Sequence, residues 1–118
     1  MVTFNNKIKT MKNKSFTLSK DQVNSMLQAV EECIPFLTNS VIITQKMIDQ
    51  CQGSEDGELP NELLGYKVKR KVVGDHRNDG QMVDYTFTFI SPDKDETIIE
   101  TDMCLMIGWN VNEDVKFK

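Results

Sequence analysis

The residues best suited to acid–base chemistry sit in one short stretch, Asp75-His76-Arg77-Asn78-Asp79. His76 is the single histidine of the chain, and a neighbouring carboxylate could orient it as a general base or a metal ligand. The stretch is equally dense in turn formers, so a solvated hairpin loop accounts for it as well. No spacing marks a nucleophile elbow, a zinc-protease helix or a phosphate-binding glycine loop. Asp93-Lys94-Asp95-Glu96 lacks the glycine and the distal glutamate of a calcium loop. The expectation is therefore no catalytic residue, no metal, no cofactor and no enzyme activity; an enzyme built around His76 is the least favoured reading.

Arg70 is more unusual. From Gly65 onward the pattern has period two: Tyr66, Val68, Arg70 and Val72 share one face, Lys67, Lys69, Lys71 and Val73 the other. Arg70 thus falls on the apolar side, where a guanidinium needs acceptors. With Tyr66, Tyr85 and Trp109 it could line a cleft between helix and sheet for a small anionic ligand. The competing expectation puts Arg70 near the sheet edge, reaching outward across Tyr85. The lysine row could meet phosphate or an acidic protein surface. No aromatic residue interleaves with it, so base stacking is unsupported; Asp84, Glu100 and Asp102 on neighbouring strands are the expected partners.

Cys33, Cys51 and Cys104 form an odd set without C-x-x-C spacing. On one straight helix Cys33 and Cys51 would stand about 27 Å apart, out of disulfide reach. All three are read as reduced, mostly buried thiols of an intracellular, cytoplasmic protein. The N-terminal stretch 1–20 has five lysines and no acid, without the apolar block of a secretory signal. Met11 offers a second start. No run approaches the roughly 20 apolar residues that span a bilayer. The net charge of −4 is banded: basic over 1–20, acidic over 21–63, basic over 64–80, acidic over 81–118. An acidic whole makes nucleic acid an unfavoured partner, whereas bands of both signs suit self-association or a charged protein partner.

One stretch organises the rest. Ser19 and Gln22 have capping-box spacing, with Leu18 and Val23 as the staple, so a helix is expected to start at Lys20. An apolar row follows: Val23, Leu27, Val30, Ile34, Leu37, Val41, Thr44, Ile48, Cys51, with alternating gaps of four and three. An unbroken helix of that length would measure about 50 Å, against a domain diameter of roughly 35 Å. Pro35 therefore predicts a kink or split, giving segments over 20–34 and 38–52 closed by Gly53. Met26, Cys33 and Met47 widen the stripe, which favours core packing over a coiled-coil seam.

The remainder reads as strands. A hairpin joins 66–73 to 82–90 in a register that sets 72 opposite 83, Val68 opposite Phe87 and Lys71 opposite Asp84. Ser91–Asp95 is a turn, and a third strand runs from Glu96 with a bulge or bend at Gly108. Val115–Lys118 is a possible last strand, and Val2, Phe4 and Ile8 frame a short edge strand. The expected architecture is α+β: a basic tail or edge strand over 1–18, then a single domain over 19–118 with its helix packed on an antiparallel meander of three to four strands. This order of elements is similar to cystatin-like rolls, a resemblance of architecture that implies no function. Two functions are carried forward. The first is a small non-enzymatic protein working by protein–protein contact, as inhibitor, adaptor or assembly module, a homodimer among the options. Its expected contact surface is Ile42, Ile43 and Met47 together with the open sheet edge. The alternative is the small-ligand roll built on Arg70.

Overall fold

A computed structural model describes residues 15–33, 40–55, 57–76, 82–104 and 108–118, with the backbone alone at residues 33, 75 and 76. Helix α1 spans Lys20–Cys33. Its start follows from two side chains: the Gln22 amide donates to Ser19 Oγ at 3.2 Å, and the Ser19 amide donates to Gln22 Oε1 at 2.8 Å. This is the reciprocal capping box that the sequence predicts. Leu18 and Val23 both enter the core. Val23, Met26, Leu27, Ala29 and Val30 are buried along one side, a stripe wide enough for a helix laid on a sheet.

The second helix is shorter than expected. Strand β2 occupies Ser40–Ile42, and α2 covers only Gln45–Cys51. The β-branched run Val41-Ile42-Ile43-Thr44 explains the difference. Such side chains lose χ1 freedom in a helix and fit a pleated surface, and a strand partner is at hand: Val41 lies opposite Val68 and Ile42 opposite Lys67. Thr44 does not continue the stripe but caps α2, its Oγ1 accepting from the Met47 amide at 3.3 Å. Ile48 and Cys51 are buried as the row requires, and Gly53 follows α2 at φ 72°, where a residue without Cβ is at ease. Ile34, Pro35 and Leu37 lie outside the described residues. Cys51 is disulfide-bonded and Cys104 is free, which corrects the expectation of three reduced thiols. The distance that argued against a bridge applied to one straight helix; here a strand separates α1 from α2 and the two helices pack together.

The main sheet is antiparallel, with strand order β2-β3-β4-β5-β6. Its long members are β3 (Lys67–His76), β4 (Met82–Ile90) and β5 (Glu96–Cys104), and β6 is Gly108–Trp109. At five strands it exceeds the expected meander. The β3–β4 register sets Val68 opposite Phe89, Arg70 opposite Phe87, Lys71 opposite Thr86 and Val72 opposite Tyr85. That is two residues away from the expected pairing, so every side chain keeps its face while its partner changes. A bulge between Val72 and Gly74 accommodates the extra residue and carries β3 on to His76. Beyond Cys104 the chain reverses instead of bending, because Gly108 and Trp109 pair back on Cys104 and Met103. The short last strand exists as β7 (Val115–Phe117), but it pairs with β1 (Phe16–Leu18) in a separate two-stranded sheet. Val2, Phe4 and Ile8 lie outside the described residues.

α1 covers the inner face of the main sheet. The core joins Val23, Met26, Leu27 and Val30 to Val68, Phe87, Phe89, Ile99 and Trp109. Aromatic contacts run through it, from Tyr85 to Trp109 at 5.1 Å, Trp109 to Phe87 at 5.3 Å, and Phe89 to Phe117 at 5.3 Å. The polar stretch after α2 is packed down on α1. The Glu58 amide donates to Ser25 Oγ at 3.1 Å and the Gly53 amide to Glu58 Oε1 at 2.7 Å, while Leu59 and Leu63 are buried. Gly57 makes this close approach possible: a Cβ there would stand 2.2 Å from the Ser25 carbonyl oxygen. No described helix is long and apolar enough to cross a membrane.

Candidate functional site

Arg70 points from β3 toward α1 and is 18% exposed. Its Nη1 donates to Glu31 Oε1 on the helix, and its guanidinium carbon lies 5.6 Å from the centre of the Tyr85 ring, within cation–π range. The charge that parity places on the inner face is thus met by a carboxylate of the chain itself. Glu31 follows Val30 and sits at the margin of the buried stripe, facing the sheet. The signal for Glu31 in the sequence is the need of an inward arginine for an acid on the covering helix.

The four residues read as a ligand site do not form one cluster. Arg70, Tyr85 and Trp109 are in contact through the Tyr85 ring. Tyr66 is elsewhere, packed edge-on to Phe16 and Phe117, its hydroxyl donating to the Lys118 carbonyl at 2.8 Å. Burial raises the Tyr66 phenol above its ordinary value, with Asp95 and Asp93 adding to the shift. Tyr66 therefore ties the end of β7 to the main sheet. Thr44, expected in the apolar row of the helix, serves as the cap of α2.

An open cleft of about 600 Å³ lies beside Tyr85, with Asp84, Glu100 and Asp102 in its walls. Three carboxylates give it a negative field that disfavours an anion. Asp84 and Asp102 are directly opposite across β4 and β5, and Asp102 Oδ1 is buried without a hydrogen-bond partner. No group of three or more acidic, histidine or cysteine side chains among the described residues is arranged to hold a metal. His76 ends β3; its side chain and residues 77–81 lie outside the described residues.

The expected contact residues separate. Ile42 is 56% exposed on β2, Ile43 is 1% exposed in the core, and Met47 is half-buried against the core. Ile43 is thus a packing residue, its amide donating to the Tyr66 carbonyl at 2.8 Å. The reason is alternation: in an extended segment neighbours face opposite ways, so Ile42 and Ile43 cannot share a surface as they would on adjacent flanks of a helix. The other missed groups tie α1 to the C-terminal segment. Asn24 exchanges two hydrogen bonds with the Val111 backbone, at 3.1 and 3.0 Å, and the Lys20 amide donates to Asp114 at 2.9 Å. No protein-family model, curated protein or solved structure matches the chain.

Proposed function

We propose that this is a small non-enzymatic protein that works by protein–protein contact, as an inhibitor, adaptor or assembly module. The observation that carries the reading is the contrast between the two faces of the main sheet. The inner face is filled by α1, and its one cation is paired with Glu31. Among the described residues no element covers the outer face, which holds Ile42 and Ile98 at 56% and 58% exposure among charged side chains, a mixture that suits a protein surface. The reading places the protein in the cytoplasm; the Cys51 disulfide weighs against that location, because such bridges persist mainly in oxidising compartments.

A second reading, a small-ligand roll, rests on the contact of Arg70, Tyr85 and Trp109. An anion there would have to displace Glu31. The two readings are separated by NMR on the labelled chain, mixed in turn with the protein and metabolite fractions of a cell extract. Contact predicts broadened Ile42 and Ile98 methyl signals with the protein fraction and an unmoved Trp109 indole. A Trp109 indole shift produced by the metabolite fraction alone would reverse the order.

A further inference from the structure

The outer face of the sheet carries its charges in columns. β3 presents Lys67, Lys69 and Lys71, all exposed; β5 presents Glu96, Ile98 and Glu100, all exposed; β4, between them, presents Thr86, Thr88 and Ile90. The register arranges these as three rows: Lys67-Ile90-Glu96, Lys69-Thr88-Ile98 and Lys71-Thr86-Glu100. Within one copy, the lysine and the acid of a row stand two strand spacings apart, about 10 Å. Among the described residues none of the three lysines forms an ion pair. The face is therefore basic along one strand and acidic along another, with a neutral strip between.

The geometry points to a second copy of this chain as the occupant of that face, and to one orientation of it. The inference rests on the protein-contact reading above and names the partner. Closed dimers use a two-fold axis. An axis lying in the interface across the strands would stack β3 on β3, lysine over lysine. An axis running along β4 stacks β3 of one copy on β5 of the other and keeps each row level with itself. Lys67 then meets Glu96 of the second copy, Lys71 meets Glu100, and the aliphatic stem of Lys69 covers Ile98. Symmetry doubles each of these contacts. Ile90, Thr88 and Thr86 lie on the axis at the roughly 10 Å separation of packed sheets. The next row, Gly74-Asp84-Asp102, has no lysine to offer, so the complementary patch ends there.

The footprint sets the strength. The three rows span five residues of each strand and cover roughly 14 by 17 Å, or about 240 Å², under a third of the ~800 Å² per partner in a stable complex. The dimer is accordingly weak and salt-sensitive.

Sedimentation velocity at concentrations up to about 1 mM, where a weak encounter of Kd near 1 mM is populated, reads the association at low and high salt. The expected result is a monomer–dimer equilibrium that weakens severalfold as salt rises. Lys67→Glu with Lys71→Glu is expected to abolish it, as is Glu96→Lys with Glu100→Lys, while an equimolar mixture of the two variants associates. Within one chain, the swap Lys67→Glu with Glu96→Lys restores self-association, which also controls for damage to folding. A parent that stays monomeric at low salt overturns the inference, as does a charge-reversed variant that associates like the parent. A monomeric parent whose Ile42 and Ile98 signals still respond to the protein fraction would remove the second copy and leave the contact reading standing. A Trp109 response to metabolites in a chain that dimerises would do the reverse.

Discussion

At the scale of single residues, the pairing of Arg70 with Glu31 decides what the inner face can do. Either group alone in this half-buried setting would leave a charge poorly solvated. Arg70→Leu is therefore expected to destabilise the fold by about 1–2 kcal/mol, whereas Arg70→Leu with Glu31→Leu recovers most of that loss. Denaturant unfolding of the two single variants and the double variant measures the coupling; additive losses would show that the pair contributes nothing. Tyr66 gives a pH-dependent expectation. Its folded-state value lies above the ordinary 10.0, so the neutral phenol is favoured in the fold. That contribution is intact below pH 10 and is lost as pH rises from there through the raised value. Tyr66→Phe should cost about 1 kcal/mol at neutral pH with its hydrogen bond and make the decline above pH 10 shallower. Alkaline unfolding curves of the two proteins check it.

At the scale of elements, local rules succeeded wherever the determining atoms were neighbours in sequence. Ser19 and Gln22 are three residues apart, and the helix starts where their spacing says. Ser91–Asp95 is a turn, with the Lys94 amide donating to the Ser91 carbonyl at 2.8 Å. The face of each long strand was legible from period two alone. Val41-Ile42-Ile43-Thr44 was legible as a poor helix but not as a strand, because its partner Lys67–Lys69 lies across a helix and a turn. Nothing in the polar composition of the stretch 52–61 reveals that Gly57 rests on the backbone of α1. That contact makes a sharp test: Gly57→Ala would set a Cβ against the Ser25 carbonyl at φ 111°. The expected cost is about 3 kcal/mol, read as a lowered thermal midpoint with Gly53→Ala as the milder comparison, since no atom lies within 4 Å of the Cβ it adds.

For the whole molecule, α1 is held at both ends by distant segments: Asp114 and Val111 at its N-terminal half, and Arg70 of β3 through Glu31. Helix, main sheet and the β1–β7 ribbon share one core, which predicts a single cooperative transition. Trp109 fluorescence and far-ultraviolet circular dichroism should trace the same unfolding curve; separate midpoints would mean that the ribbon or α2 melts on its own. The amino-acid sequence by itself determined where α1 begins, the α+β class, the two faces of every long strand and the presence of an inward arginine. These depend on the identity of residues a few positions apart, and helix and strand periods carry that information directly. Only the tertiary structure decided the partner of that arginine, the two-residue change of register, the reversal after Cys104 and the closed strand ribbon of β1 and β7. Each of those is set by contacts between segments far apart in the chain, where burial and hydrogen bonding across the fold outweigh local preference.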